Sequence, residues 1–234
     1  MKKKEIPEAN QRRAFLGQVI SGAALLGLST LAVPLPVNAS ETLLPDEGIS
    51  DADAWFNKIK GKHRIVYDVP SPHEMFPFAW PRVFLLTNEK TGTPIAESSV
   101  VVILRHNAIP YAMQNSLWEK YKFGEVFKID DSKTKAPALR NEFWQPKPDD
   151  FKVPGIGPVA IGINDLQKDG VMFCVCDMAM TVYGAAIAQQ TSAKPEDVKK
   201  EFVDGLLPGV QIVPSGVWAV GRAQEHGCAY CFVG

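Results

Sequence analysis

The sequence predicts an α/β fold in which one five-stranded parallel sheet is covered by helices on both faces. Three observations carry that expectation. Short apolar runs alternate with stretches of helical periodicity from His63 onward. One of these runs, Ser99 to Leu104, is nearly continuous in apolar residues, as in a strand covered on both faces. The stretches between runs are long enough to hold the helix that a parallel crossover requires.

Within Asp51 to Lys60, Trp55, Phe56 and Ile59 sit at helical spacing. His63 to Val69 reads as the first strand, stopped by Pro70 and Pro72. Phe76 to Thr91 returns to helical spacing, with Pro81 placed early, where a first turn tolerates it. Ser99 to Leu104 is the second strand, and Asn115 to Phe123 is a helix. Asp130 to Pro158 is polar, lacks a period and holds Pro137, Pro146, Pro148, Pro154 and Pro158; it reads as a mobile excursion or a functional lid.

Regular alternation resumes with a helix from Val159 to Lys168, a turn at Asp169-Gly170, a strand from Val171 to Val175 and a helix from Met178 to Gln190. A further helix opens at Pro195, with Glu196 and Asp197 in its first turn, and ends near Gly205. Strand Val210 to Val213, helix Gly216 to His226 and strand Cys228 to Val233 complete the pattern.

Upstream of the domain the chain carries Lys2 to Lys4, then Arg12-Arg13, and from Phe15 to Val33 an apolar stretch that closes on Val37-Asn38-Ala39. A charged front, an apolar middle and a small-x-small end are the parts of a cleavable secretory signal, and the paired arginine matches the twin-arginine export pattern. An uncleaved anchor is the competing reading, because a bilayer span needs about 20 apolar residues. The expected organisation is therefore a signal over residues 1–39, a leader and helix over 40–62 and the α/β domain over 63–234. The signal holds five of the 25 basic residues and two of the 26 acidic ones, leaving 20 against 24, a net of −4. That balance gives no reason to expect a nucleic-acid partner, and none is expected from the membrane once the signal is removed.

All four cysteines fall late in the chain, Cys174 and Cys176 as C-x-C, Cys228 and Cys231 as C-x-x-C. In an oxidising compartment an even count ordinarily means disulfides. Cys176, however, stands where a buried strand hands over to a helix, and reactive groups in open parallel sheets gather at that end of the strands. A helix amino end also favours the thiolate, although Asp177 opposes it if its carboxylate points at the sulfur. The alternative is a buried cysteine acting as a small hydrophobe, the natural reading of Cys174. Arg105 and His106 end another strand and should share the edge with Cys176, where they could steady a thiolate or bind an anionic sulfur substrate; the alternative is a surface arginine and a satisfied histidine. Ser215 reads as a helix cap. His226, Cys228 and Cys231 suggest a metal, but residues three apart on a strand point to opposite faces, so no metal or other cofactor is expected.

The segment Gly170 to Met180, with its apolar strand, Cys176 and small-residue helix, resembles the cysteine-bearing segment of the DsrE/DsrF-like superfamily, which includes sulfur-relay proteins of bacterial sulfur metabolism. Val100 to Leu104 followed by Arg105-His106 is similar to that superfamily's second strand, and the resemblance runs from about Ile65 to the C-terminus. It implies a three-layer α/β/α sandwich of flavodoxin-like kind with strand order 4-3-2-1-5, assembly into homo- or hetero-oligomers, and a persulfide on Cys176 that is handed to a partner protein. The relays are cytoplasmic, whereas this chain bears an export signal, and neither the Asp130 to Pro158 excursion nor the C-x-x-C belongs to the pattern. Three functions follow as expectations: a periplasmic protein that binds or relays sulfane sulfur on Cys176 with a donor or acceptor protein; a non-catalytic small-molecule or protein-binding module; and thiol-disulfide exchange. The implied strand order puts Cys176 three spacings, about 14 Å, from Cys228 and Cys231, beyond disulfide reach, and Cys176 is expected to be the most reactive thiol.

The mature protein is expected to begin at Ser40. Replacing Arg12 and Arg13 with lysine should leave precursor in the cytoplasm, read by fractionation and N-terminal mass analysis. Normal export of that variant would remove the twin-arginine assignment.

Overall fold

The computed structural model describes residues 51–153 and 155–234, all within the unit 43–234. The expected export signal, with the expected cleavage after Ala39 and start at Ser40, lies outside the described residues. The elements run α1 (Ala52–Phe56), β1 (His63–Val69), α2 (Phe76–Lys90), β2 (Ser98–Leu104), α3 (Asn115–Tyr121), α4 (Phe123–Phe127), β3 (Lys152–Val153), β4 (Gly157–Pro158), α5 (Ile163–Lys168), β5 (Met172–Cys176), α6 (Asp177–Thr191), α7 (Pro195–Asp204), β6 (Val210–Val213), α8 (Gly216–Glu225) and β7 (Ala229–Phe232).

Five of the strands form one all-parallel sheet ordered β6-β5-β2-β1-β7, which is 4-3-2-1-5 when only these five are counted. The three-layer α/β/α arrangement follows from how the central strand is covered. Every residue of β2 is buried. Val100, Val102 and Leu104 face the larger apolar core with Phe78 and Leu85 of α2 and Met180 and Ile187 of α6, while Val101 and Ile103 face a second core with Phe56 of α1 and Ala219 and Ala223 of α8. Because side chains alternate along a strand, a strand buried on both faces has to be apolar at nearly every position, and this is what the run Ser99 to Leu104 encodes.

Two helical expectations need correction. The stretch expected as a helix from Val159 is helical only from Ile163, because the N–H of Val159 is already given to Phe151 O at 3.0 Å and that of Ile163 to Phe143 O at 2.7 Å. Gly162 caps the shortened helix from extended backbone; a Cβ there would lie 2.7 Å from Pro146 Cδ. Pro81 lies inside α2, beyond the first turn, where it removes one helical hydrogen bond. The neighbouring Arg82 is buried and donates to Ala160 O at 2.7 Å and to Asp169 Oδ2 at 2.5 Å, tying the helix to the loop before β5.

The segment 130–158, expected to be a mobile excursion or a functional lid, docks on the core through a few side chains. Phe143 lies at ring-centroid distances of 4.3 Å from Phe78, 5.6 Å from Tyr111 and 5.0 Å from Phe151. Asn141, fully buried, donates to Tyr111 O at 2.9 Å. A segment without a period can still dock when a few large apolar side chains reach the core, and the prolines then limit what the unfolded chain can do. Phe143→Ala is expected to lower the unfolding free energy by about 3–5 kcal/mol, measured by denaturant titration. A loss under about 1 kcal/mol would show that the segment lies on the core without contributing to it.

Candidate functional site

Read across the carboxyl edge of the sheet, the strand order sets five groups side by side. Gly216 follows β6, Cys176 ends β5, Arg105 follows β2, Asp68 lies at the end of β1 and Tyr230 is on β7. Each comes from a different strand, so only the assembled sheet brings them together.

Cys176 is the last residue of β5 and the N-cap of α6, and its Sγ accepts the N–H of Ala179 at 3.3 Å. The sulfur is 6% exposed at the residue level, and all four cysteines are free. Burial pushes the thiol pKa up; the N–H groups of Ala179 and Gly216 and the charge of Arg105 pull it back without cancelling that rise. The helix end favours the thiolate, as expected, but removing the charged form from water outweighs that influence, which is about 0.3–1 kcal/mol near a helix end. The charge of Asp177 adds to the rise, as the sequence led one to expect of a neighbouring carboxylate. Its buried carboxylate pairs with Lys199 of α7, whose ammonium also reaches Thr181 Oγ1 at 2.8 Å.

Arg105 is committed to a carboxylate. Its Nε donates to Asp68 Oδ1 at 2.6 Å and its Nη2 to Oδ2 at 2.9 Å, a bidentate pair in which the Asp68 side chain is 4% exposed. Tyr230 donates its hydroxyl to Asp68 Oδ2 at 2.9 Å, completing the acceptor's partners. A Cβ at Gly216 would lie 2.5 Å from both Cβ and Cδ of Arg105, so only glycine lets α8 approach the arginine stem this closely. The arginine's interaction with Cys176 is thus through space, and its charge is largely answered by Asp68.

His106, whose ring is partly covered, holds a left-handed backbone, φ +49°, costly for a residue with a side chain. Its Nδ1 lies 3.1 Å from the hydroxyl of Tyr183 on α6, and Tyr183 also donates to Asn107 Oδ1. Partial burial and the adjacent Arg105 lower the His106 pKa, which favours the neutral ring at pH 7. Ser215 caps α8, accepting the N–H of Trp218 at 3.2 Å. Cys228 and Cys231 sit by β7, three strand positions from Cys176, and no group of metal ligands exists among the described residues.

Asp68 and Tyr230 were missed from the sequence. The signal for Asp68 was present, since a lone acid inside Ile65-Val66-Tyr67-Asp68-Val69 has to be partnered if that run is a buried strand. Nothing in the sequence alone places Tyr230 beside it, because β7 and β1 meet only through the strand order.

Comparison with protein-family models and with curated proteins finds no match for this chain.

Three outcomes follow for the thiols. Cys231 is the most exposed of the four and should be alkylated first by a bulky reagent, ahead of Cys176. The labelling rate of Cys176 should climb with pH through and beyond about 8.5, the ordinary cysteine value, because its raised pKa leaves less thiolate at neutrality. At a pH below the thiol's pKa, Arg105→Ala should slow Cys176 labelling by removing a charge that lowers that pKa, measured under conditions where circular dichroism shows the variant folded. A labelling rate that levels off below pH 8 would contradict the buried, protonated thiol.

Proposed function

We propose that the protein is a periplasmic, DsrE-like sulfur-binding protein, exported by the twin-arginine route, that accepts sulfane sulfur on Cys176 and passes it to a partner protein. The observation that carries this reading is the seat of the sulfur: the carboxyl end of a central strand, the amino end of α6, and N–H groups of Ala179 and Gly216 directed at it. The transfer balances without an oxidant. A donor persulfide, R–S–SH, meets the thiolate of Cys176; the donor's S–S bond breaks, a new S–S bond forms at Cys176, and the leaving thiolate takes up the proton that Cys176 gave away.

The outer sulfur of a persulfide is a stronger acid than a thiol, so it has less of the burial penalty to overcome, and the backbone donors and Arg105 favour its anion. The enclosure also slows loss of sulfur to water and oxidants. A second reading, a small-molecule-binding module, is favoured by a cleft of about 310 Å³ lined by Asp68, Val217, Val220, Gln224 and Tyr230 on the same edge.

Mature protein treated with a persulfide donor should gain about 32 Da on Cys176, one sulfur atom, located by peptide mass spectrometry and absent from Cys176→Ser. An adduct confined to Cys231, or none at all, would sink the sulfur reading and leave the binding module.

A further inference from the structure

The opposite, amino-terminal edge of the sheet holds a larger cleft, about 730 Å³, within the range of about 300–1,000 Å³ typical of small-molecule sites. It lies between the chain leading into β1 and the starts of β2 and β5, and its lining includes Lys58, Lys60, Lys62 and Arg64. Its acidic members are Glu97 and Asp169, and Asp169 is already paired with Arg82. The three lysines are exposed and make no side-chain ion pair or hydrogen bond with the described residues. In a chain of net charge −1 this concentration of unanswered positive charge is local, not a reflection of composition.

The cleft is also built rather than incidental. Arg64 is held by two carbonyls, Nε to Gly61 O at 2.6 Å and Nη1 to His226 O at 2.8 Å, so its guanidinium is fixed in place while its charge has no carboxylate partner among the described residues. Ser99 Oγ accepts the N–H of Lys60 at 3.2 Å and of Gly61 at 2.8 Å, which pins the loop that carries the lysines. Gly61 has no room for a side chain: a Cβ would stand 2.6 Å from Ser99 N and 2.7 Å from Glu97 O. Ser98, at the start of β2, completes the cleft's floor beside Ser99.

We propose that this cleft binds a small polyanion bearing a tetrahedral oxyanion, of phosphate or sulfonate type. Fixed arginine forks and lysine point charges together are the groups that recognise such anions. The site is separate from Cys176: Met172 lines the cleft at the start of β5 and Cys176 closes that strand four positions later, about 13 Å away at 3.3 Å per residue.

The test titrates the mature chain with pyrophosphate, with thiosulfate and with citrate by calorimetry at matched ionic strength. Saturable binding of pyrophosphate or thiosulfate, stronger than that of citrate and weakening as salt is raised, is expected, and the preferred anion separates a phosphorylated from a sulfur-oxyanion ligand. The exposed pair K60Q/K62Q should bind about tenfold more weakly with an unchanged circular dichroism spectrum, and Arg64→Lys should weaken binding by losing the fork. Cys176→Ser should bind as the parent does, so failure here and failure of the sulfur reading are distinguishable. Equal binding of citrate, full affinity in K60Q/K62Q, or no binding of either oxyanion would overturn the proposal.

Discussion

The carboxyl edge of this sheet is organised by one ion pair. Asp68 is nearly sealed from water, and an ionised carboxylate in that position is tolerable only when its oxygens are fully answered. Arg105 supplies two donors and Tyr230 a third, so the pair joins β1, the turn after β2, and β7. Removing the arginine alone would strand a buried charge, typically a loss of about 3–5 kcal/mol. Other features at the edge are adjustments to this pair. Gly216 is small so that the arginine stem can lie flat, and the turn beginning at His106 leaves β2 through a strained backbone conformation immediately after it.

The same pair limits what Arg105 can offer to Cys176. A guanidinium that already forks onto a carboxylate is a weaker electrostatic partner for a thiolate than a free one, and the sulfur is enclosed besides. Burial, and after it the charge of Asp177, raise the thiol pKa; the N–H groups of Ala179 and Gly216 and the charge of Arg105 lower it, and the rise prevails. The site therefore holds an enclosed, protonated thiol and not a permanently ionised nucleophile.

Much of this architecture follows from local pattern. The run Ser99 to Leu104 could only be a doubly covered strand, and β1, β6 and the helices flanking Cys176 have clear periods and caps. Three things do not follow from it. The short helix α5 begins late because its upstream N–H groups are claimed by Phe143 and Phe151, partners that no window of sequence around Val159 contains. The 130–158 segment docks through Phe143, whose contacts with Phe78 and Tyr111 span the core. The Asp68 and Tyr230 contact arises from a strand crossing, so its residues are 162 positions apart. Cys176 and Arg105 could be placed on one edge from the strand ends alone; that Arg105 was already taken by Asp68 could not.

The position of β7 bears on how the chain folds. β1 lies inside the sheet, yet on one side its only neighbour is a strand synthesised after all the others. Until residues 229–232 arrive, β1 presents an unpaired edge with the buried carboxylate of Asp68 lacking one of its donors. Loop closure over so long a stretch is entropically slow, so the last pairing is expected to form after translation has passed every other strand. A nascent chain would therefore carry an open, apolar edge through most of its synthesis, the condition under which chaperones commonly engage.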